Sequence, residues 1–260
     1  LNLLFIGDIV GKPGRKAVEE LLPQVRKSYA VDFVIANAEN AAGGNGLTRD
    51  IAHELLGRGI DVLTMGNHTW DKREILDFID SEPKLLRPAN YPVGTPGRGS
   101  AIFTLPNGKH LAVANYCGRI FMNPLECPFQ HVGRLIESLR GKADYLFIDF
   151  HAEATSEKIA FGWHVNGRAT AVVGTHTHVQ TADERILPAG TAYISDVGMT
   201  GPRDGVLGVK KELVLNKFIT QLPVRFETAT GPIQMNAVLI TLGLQGKAEK
   251  IERINIIKEV

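Results

Sequence analysis

Five apolar runs of strand length each give way to residues able to bind a metal, and this repeated punctuation constrains the fold more than any other feature. Leu3 to Gly7 ends at Asp8, Phe33 to Ala36 leads to Glu39-Asn40, and Val62 to Gly66 ends at Asn67-His68. Tyr145 to Phe150 ends at His151, and Ala171 to Gly174 leads to His176-Thr177-His178. Short apolar runs bounded by turn residues read as buried strands. Strands that finish at one sheet edge gather their terminal side chains in one place.

The intervening segments read as helices. After a turn at Gly11 to Gly14, the residues Ala17, Val18, Leu21, Leu22 and Val25 form an apolar stripe. Ile51, Leu55 and Leu56 form a second stripe, with Thr48 as its cap and Gly59 as its stop. This βαβα rhythm predicts helices packed on a sheet. From about residue 84 the pattern changes: Pro83, Pro88, Pro92 and Pro96 punctuate a long connection. Strands at 100–105 and 110–116 then meet at Asn107-Gly108, a hairpin signal. Residues 117–127 read as an irregular loop and His131 to Leu139 as a helix. Strands are expected near 191–195, 223–228, 233–244 and 248–257, with a helix near 209–219. No repeat or linker divides the chain, so residues 1–260 are expected to form a single catalytic domain of two packed sheets with helices outside them.

Composition removes several function classes. Twenty-nine basic and 28 acidic side chains leave a formal charge of +1, which argues against an extensive nucleic-acid surface. No segment approaches the roughly 18 continuous apolar residues of a membrane span. Cys117 and Cys127 are too few for a disulfide framework, so a reduced, cytoplasmic protein is expected. The run Gly7 to Gly11 lacks the Gly-x-Gly-x-x-Gly spacing, and no Gly-Lys-Ser/Thr phosphate loop occurs. NAD and ATP chemistry therefore have no support.

The strand ends supply a coherent donor set. Asp8 and Glu39 offer carboxylate oxygens, Asn40 and Asn67 amide oxygens, and His151, His176 and His178 imidazole nitrogens. A mixed nitrogen and oxygen set suits iron, manganese or zinc better than calcium. One carboxylate between two cations about 3.5–4 Å apart would build a hydrolytic pair. His176 and His178, two residues apart, would share one face of a continuous strand. Read singly, each residue has a structural use: Asp8 as a helix cap, Asn67 in an Asx turn, His151 as a buried, satisfied histidine. Their joint placement favours ligands. His68 is the candidate general acid, because imidazole exchanges protons near neutral pH, and Asp71 is placed to orient it. Arg119 and Phe121 in the irregular loop, and Arg203 beyond Met199, are the candidate substrate-binding residues.

At these residues the chain resembles the calcineurin-like metallophosphoesterases, and within them the small bacterial YmdB-like branch associated with cyclic-nucleotide phosphodiesterase activity. The similarity spans essentially all 260 residues. It rests on Phe5-Ile6-Gly7-Asp8, Ala38-Glu39-Asn40-Ala41-Ala42-Gly43-Gly44, Gly66-Asn67-His68, Asp149 to Glu157, Gly174 to His178 and Asp196 to Gly201. The broad family opens its site with Gly-Asp-x-His and bridges its metals with an aspartate. This chain has Val10 and Glu39 at those places, departures that match the small branch.

The resemblance implies a four-layer α/β/β/α sandwich, the metallo-dependent phosphatase-like fold. It implies Asp8, Glu39, Asn40 and His178 around one metal, and Glu39, Asn67, His151 and His176 around the other. The ions would be divalent or mixed-valence, iron first and manganese as the alternative. The implied reaction is hydrolysis of 2′,3′-cyclic nucleotides to 3′-phosphomonoesters by metal-activated hydroxide, in a protein that self-associates. Two other readings stay open, a broad phosphomonoesterase using the same centre and a nucleotide sensor without turnover.

Overall fold

In the computed structural model, which describes residues 1–259, the apolar runs become the strands of two sheets. The chain begins with β1 (Asn2–Ile6), β2 (Asp8–Ile9), α1 (Gly11–Ser28), β3 (Phe33–Asn37), α2 (Arg49–Gly57) and β4 (Val62–Thr64). A short 3-10 helix (Arg73–Asp77) and β5 (Leu85–Leu86) follow, then the hairpin of β6 (Ser100–Thr104) and β7 (His110–Cys117). Next come α3 (Pro128–Leu139), β8 (Tyr145–His151), α4 (Thr155–Val165), β9 (Ala171–Thr175), β10 (Arg185–Ile186) and β11 (Ala192–Ile194). The chain closes with β12 (Met199–Pro202), α5 (Lys211–Thr220), β13 (Ile233–Leu242) and β14 (Ala248–Lys258).

The first sheet has the order β2-β12-β13-β1-β3-β4-β5, with β14 beside β13; the second runs β10-β11-β9-β8-β7-β6. Strands β1, β3, β4 and β5 are parallel, as are β7, β8, β9 and β11. Each parallel set is interleaved with helices, and its strands are buried on both faces. Side-chain alternation in β1 shows how one strand serves two cores. Leu4 and Ile6 pack beneath Ala17, Val18, Leu21 and Leu22 of α1, while Leu3 and Phe5 face the second sheet. There the Phe5 and Phe147 rings lie 5.3 Å apart. A third core joins Ala114, Ile148 and Val172 of the second sheet to Val132 of α3 and Phe161 of α4. Burying one such large apolar side chain contributes about 1.5–3 kcal/mol. Three cores require four layers, and the architecture is an α/β/β/α sandwich.

Two local expectations change. Residues 11–14 are the first turn of α1 rather than a separate turn, because Pro13 falls where its missing N–H is harmless. The segment 223–228 is not a strand; it offers only an isolated bridge between Val209 and Thr228. Its natural partner β13 is already flanked by β1, β12 and β14. Among the described residues, no helix is long and apolar enough to cross a membrane.

The sheets pack with the carboxyl ends of their parallel strands at the same edge, so β1, β3, β4, β8 and β9 deliver their following residues to one place. Close packing there depends on Gly174, where a Cβ would lie 1.7 Å from the Ser195 carbonyl oxygen and 3.0 Å from Lys158 Cδ. Gly174→Ala is therefore expected to destabilise the fold by about 3 kcal/mol, the upper range for overpacking. Urea unfolding at matched protein concentration measures it, and an unchanged midpoint would contradict the packing described.

Candidate metal centre

Backbone geometry at the ends of β3 and β4 carries the first ligands inward. Asn37 at the end of β3 accepts a hydrogen bond from Glu39 N at 3.1 Å through Oδ1, and donates through Nδ2 to the Met65 carbonyl at 3.1 Å. This turns the chain so that Glu39 is fully buried. Gly66 follows β4 and lies against the same group: a Cβ would stand 2.4 Å from Glu39 Oε2 and 2.4 Å from His151 Cδ2. Only glycine leaves room for both ligands. His151, the last residue of β8, brings Nε2 to 3.0 Å from Glu39 Oε1, 2.9 Å from Asn67 Oδ1 and 2.9 Å from His176 Nδ1. The ligand atoms of Glu39, His151 and His176 all lie within 4.8 Å of one another.

The imidazole of His151 is held from behind. Its Nδ1–H donates to Thr175 Oγ1 at 2.9 Å, and the Thr175 hydroxyl donates to Asp149 Oδ1 at 2.7 Å. Because the threonine has one hydroxyl proton, this chain of bonds keeps the Nδ1 proton in place, so that loss of a proton from the imidazolium frees the Nε2 lone pair for a cation.

His176 and His178 do not lie on a continuous strand as expected. Strand β9 stops at Thr175, and the two histidines have φ of +101° and +66°. Left-handed backbone is costly for a residue with a Cβ, about 1–3 kcal/mol, and persists only where neighbours enforce it. Here Asp196 Oδ2 accepts from Thr177 N at 3.0 Å and Thr177 Oγ1 at 2.7 Å, while Asp8 Oδ2 accepts from His176 N at 3.2 Å. Asp196 is in turn paired with buried Lys158 at 2.7 Å. The turn separates the histidines, so that His176 joins His151 and His178 Nε2 reaches Asn40 Nδ2 at 3.2 Å.

Electrostatics in this pocket is dominated by burial. Burial pushes the Asp8 carboxyl upward, offset in part by His178 and His151. Burial would also raise Glu39, but the charge and hydrogen bond of His151 outweigh it and bring Glu39 down to about 2. His151 responds reciprocally: burial opposes its charged form, yet Glu39, Asp8 and Asp149 push it up to about 9. Burial and the neighbouring His151 depress His176 to about 3.

The donor set fits a metal on two observations. Asp8 Oδ1 is buried with no hydrogen-bond partner, a costly state for a carboxylate oxygen unless a cation faces it. Carboxylate, imidazole and amide donors converge on one point, as a site for a transition-metal ion demands. Glu39, His151 and His176 would hold that ion.

Around this cluster, His68 donates its main-chain N–H to Glu39 Oε2 at 3.0 Å, and its ring Nδ1 lies 2.8 Å from Asp71 Oδ2. Asp71 also accepts from Asn45 Nδ2 at 2.9 Å. A cavity of about 380 Å³ adjoins this side, lined by His68 and His178 together with Val10, Leu207 and Phe226. On the other side a cavity of about 330 Å³ is lined by Asn67, His176, Phe121 and Met122. Phe121 is 89% exposed and has φ of +61°. Arg119 and Arg203 line neither cavity: the Arg119 amide is bound by the Glu157 carboxylate, and Arg203 N donates to the Pro232 carbonyl.

Residue-by-residue reading overlooked the groups that hold the ligands. Asp149, Thr175, Lys158 and Asp196 carry no ligand atom. For Asp149 and Thr175 the signal available was their membership of the same short runs that contain His151 and His176; Lys158 and Asp196 lie outside those runs. The Glu153 carboxylate lies 3.0 Å from His176 Nε2.

Two outcomes follow from this geometry. A cation must displace the Nε2 proton of His151, which is retained up to about pH 9. Metal affinity should therefore rise with pH up to that value, by up to about tenfold per unit, and level off above it. Calorimetric titration in buffers of different ionisation enthalpy should register the released proton. Gly66→Ala should lower bound metal per chain, by elemental analysis, while far-ultraviolet circular dichroism remains that of the folded protein.

Comparison with known proteins agrees with the fold. The sequence model of the family described as YmdB-like protein matches residues 4–254. Over 257 residues the chain is 57% identical to the 2′,3′-cyclic-nucleotide 2′-phosphodiesterase of Bacillus subtilis (strain 168), covering 98% of this chain and 97% of that protein. A crystal structure of a hypothetical protein from Thermus thermophilus superposes with a TM-score of 0.93 at 43% identity, covering 99% of this chain and 100% of that one. A Mycoplasma pneumoniae protein described as a novel phosphatase gives a TM-score of 0.93 at 36% identity, covering 100% and 94%. Near-complete coverage in sequence and in structure leaves one assignment: the chain belongs to the YmdB-like family and has the calcineurin-like metallophosphoesterase fold.

Proposed function

We propose that this protein is a metal-dependent phosphodiesterase that opens the 2′ ester of 2′,3′-cyclic nucleotides and leaves the 3′-phosphate. The observation that carries this reading is the convergence of Glu39, His151 and His176 on one point, beside His68 and between two cavities. The 57% identity to a 2′,3′-cyclic-nucleotide 2′-phosphodiesterase supports the substrate class.

The centre takes two ions in this reading. Asn67 would join Glu39, His151 and His176 in holding one ion, and Asp8, Asn40 and His178, together with Glu39, would hold the second. The buried, unpartnered Asp8 Oδ1 and the approach of Asn40 to His178 support the second position. Mixed nitrogen and oxygen donors suit iron, manganese or zinc, and the family resemblance puts iron first with manganese as the alternative. When bound, the ions polarise a phosphoryl oxygen and make water acidic enough to act as a nucleophile near neutral pH.

The side chains do the rest. His68 delivers a proton to the departing ribose oxygen from Nε2, while Asp71 accepts from Nδ1–H and keeps the ring facing the cleft. The Asp149–Thr175 chain keeps His151 in the correct tautomer. Phe121, exposed at the mouth of one cavity, provides a face on which a base can stack. Arg119 and Arg203 line neither cavity and would meet only a substrate that extends beyond both. The reaction needs no second domain, and a reduced, cytoplasmic setting suits its iron.

Anaerobic metal loading, followed by turnover of 2′,3′-cyclic, 3′,5′-cyclic and monoester substrates with product isomers resolved, tests the reading. A 3′-phosphate as main product from the 2′,3′-cyclic substrate is expected; turnover confined to monoesters would overturn it. His68→Ala should lower kcat by about 10²–10⁴-fold. Metal content should be retained, because alanine keeps the N–H that binds Glu39. Asp71→Asn should lower kcat by less than His68→Ala does, because it leaves the imidazole in place and weakens only its anchor.

A further inference from the structure

The cleft does not end where a mononucleotide would. The cavity beside His68 and His178 continues past Gly43 and Thr228, which also line a further cavity of about 410 Å³. The first, at about 380 Å³, already lies in the range that accommodates one drug-sized ligand, roughly 300–1,000 Å³. The further cavity is surplus to a free cyclic mononucleotide.

Its charge is one-sided. The charged side chains that line it are Lys12 and Lys16, and no carboxylate does. They stand one turn apart on α1, so both face the same way. Lys12 makes no ion pair among the described residues, and Lys16 meets only Glu20, at 3.7 Å on the exposed surface. The one acidic residue lining the nearer cavity, Glu227, is paired with Lys210. Thr228 and Thr230 add hydroxyl groups, and the remaining wall is backbone and apolar surface. Lys12, without an ion pair among the described residues, and Lys16, held only by a 3.7 Å pairing with Glu20, stand beside hydroxyls as a site for backbone phosphate.

The shape of a ribose 2′,3′-cyclic phosphate links these features. Its base and its 5′ oxygen leave the sugar on opposite flanks, and the cluster has a cavity on each side. A base stacked on Phe121 would direct the 5′ oxygen toward the lysines. We infer that this site acts on the 3′ ends of short RNA chains that terminate in a 2′,3′-cyclic phosphate, with Lys12 and Lys16 holding the phosphates upstream of the terminal nucleotide. The inference rests on the phosphodiesterase reading above and narrows its substrate. It is compatible with a net charge of +1, because two phosphates, not a long track, are neutralised. RNA cleavage by attack of a ribose 2′ hydroxyl on its own phosphodiester produces such ends, so a reaction of that class would supply the substrate. The hydrolysis balances as for the mononucleotide: water adds to phosphorus, the P–O2′ bond breaks, and O2′ takes the proton.

The test compares the metal-loaded enzyme on adenosine 2′,3′-cyclic phosphate and on the trinucleotide ApApA ending in the same cyclic phosphate. The trinucleotide should have a kcat/KM at least about tenfold higher, carried by KM. Its log kcat/KM should fall with log salt with a slope of about −1.4, as expected for two phosphates on a single strand. Lys12→Ala/Lys16→Ala should lower kcat/KM on the trinucleotide about tenfold more than on the mononucleotide and flatten the salt slope. Equal kcat/KM for the two substrates, or a preference untouched by the double substitution, would overturn the inference while leaving the phosphodiesterase intact. Absence of turnover on both would instead overturn the phosphodiesterase reading.

Discussion

A single buried carboxylate joins the two sheets directly beneath the candidate metal centre. Asp149 lies on β8 of the second sheet, yet two of its three donors, Asn37 and Thr64, come from β3 and β4 of the first. The third, Thr175 on β9, passes the connection on to His151. An ionised group in such a place is tolerated only when hydrogen bonds replace its lost water. Burial nonetheless raises Asp149 to about 6, against the opposing influence of His151 and the three donors. The strand ends bearing Glu39, Asn67, His151 and His176 are thus tied to one another through a group that is not itself among the candidate ligands. Shape complementarity between apolar faces would hold the sheets together, but would not fix their sliding register at this edge.

A second carboxylate, Asp196, performs the corresponding task for the segment after β9. It binds the Thr177 amide and hydroxyl, the Gly198 amide and Lys158. Burying a lysine and an aspartate together is not in itself a large source of stability. Its use here is geometric, because those bonds hold His176 and His178 in left-handed backbone and aim them at different partners. Strain of this kind concentrates at functional sites, and its cost is carried by the surrounding sheets. Gly66, Gly174 and Gly7 complete the device. At each of them a Cβ would strike a ligand or the neighbouring backbone, so the chain approaches more closely than any other residue permits.

Most of the layer architecture was legible from periodicity and glycine punctuation, because buried parallel strands are written as apolar runs and helices as stripes. Asp8, Glu39, Asn67 and His151 could be expected together for the same reason: the end of a parallel strand is a fixed place. What the sequence did not reveal was conformation set by distant partners. Nothing local to His176-Thr177-His178 distinguishes a strand from a turn, and the deciding groups, Asp196 and Asp8, lie 19 and 168 residues away. The segment 223–228 failed as a strand because propensity is silent on whether a sheet edge is free. Helix α4 was obscure for a related reason: it buries Glu157 and Lys158 along with Phe161 and Val165, so its inward face is not apolar.

Those two buried charges explain why α4 departs from the usual stripe. Lys158 supports Asp196 behind the histidine turn, and the Glu157 carboxylate accepts from the Arg119 and Ile120 amides at the start of the loop that carries Phe121. One helix therefore braces both the ligands that follow β9 and the rim of the neighbouring cavity. Gly118 lets that rim close down, since a Cβ there would lie 2.5 Å from Glu157 Oε2. The opposite side of the cleft is built without such bracing, from the glycine-rich loop after β3 and the segment joining α5 to β13. The rigid side presents an exposed aromatic ring, and the other opens toward α1 and its lysines. An asymmetric cleft of this kind would give the cyclic phosphate proposed above a defined orientation over the cluster, with one flank of the sugar stopped by a fixed wall and the other free to extend.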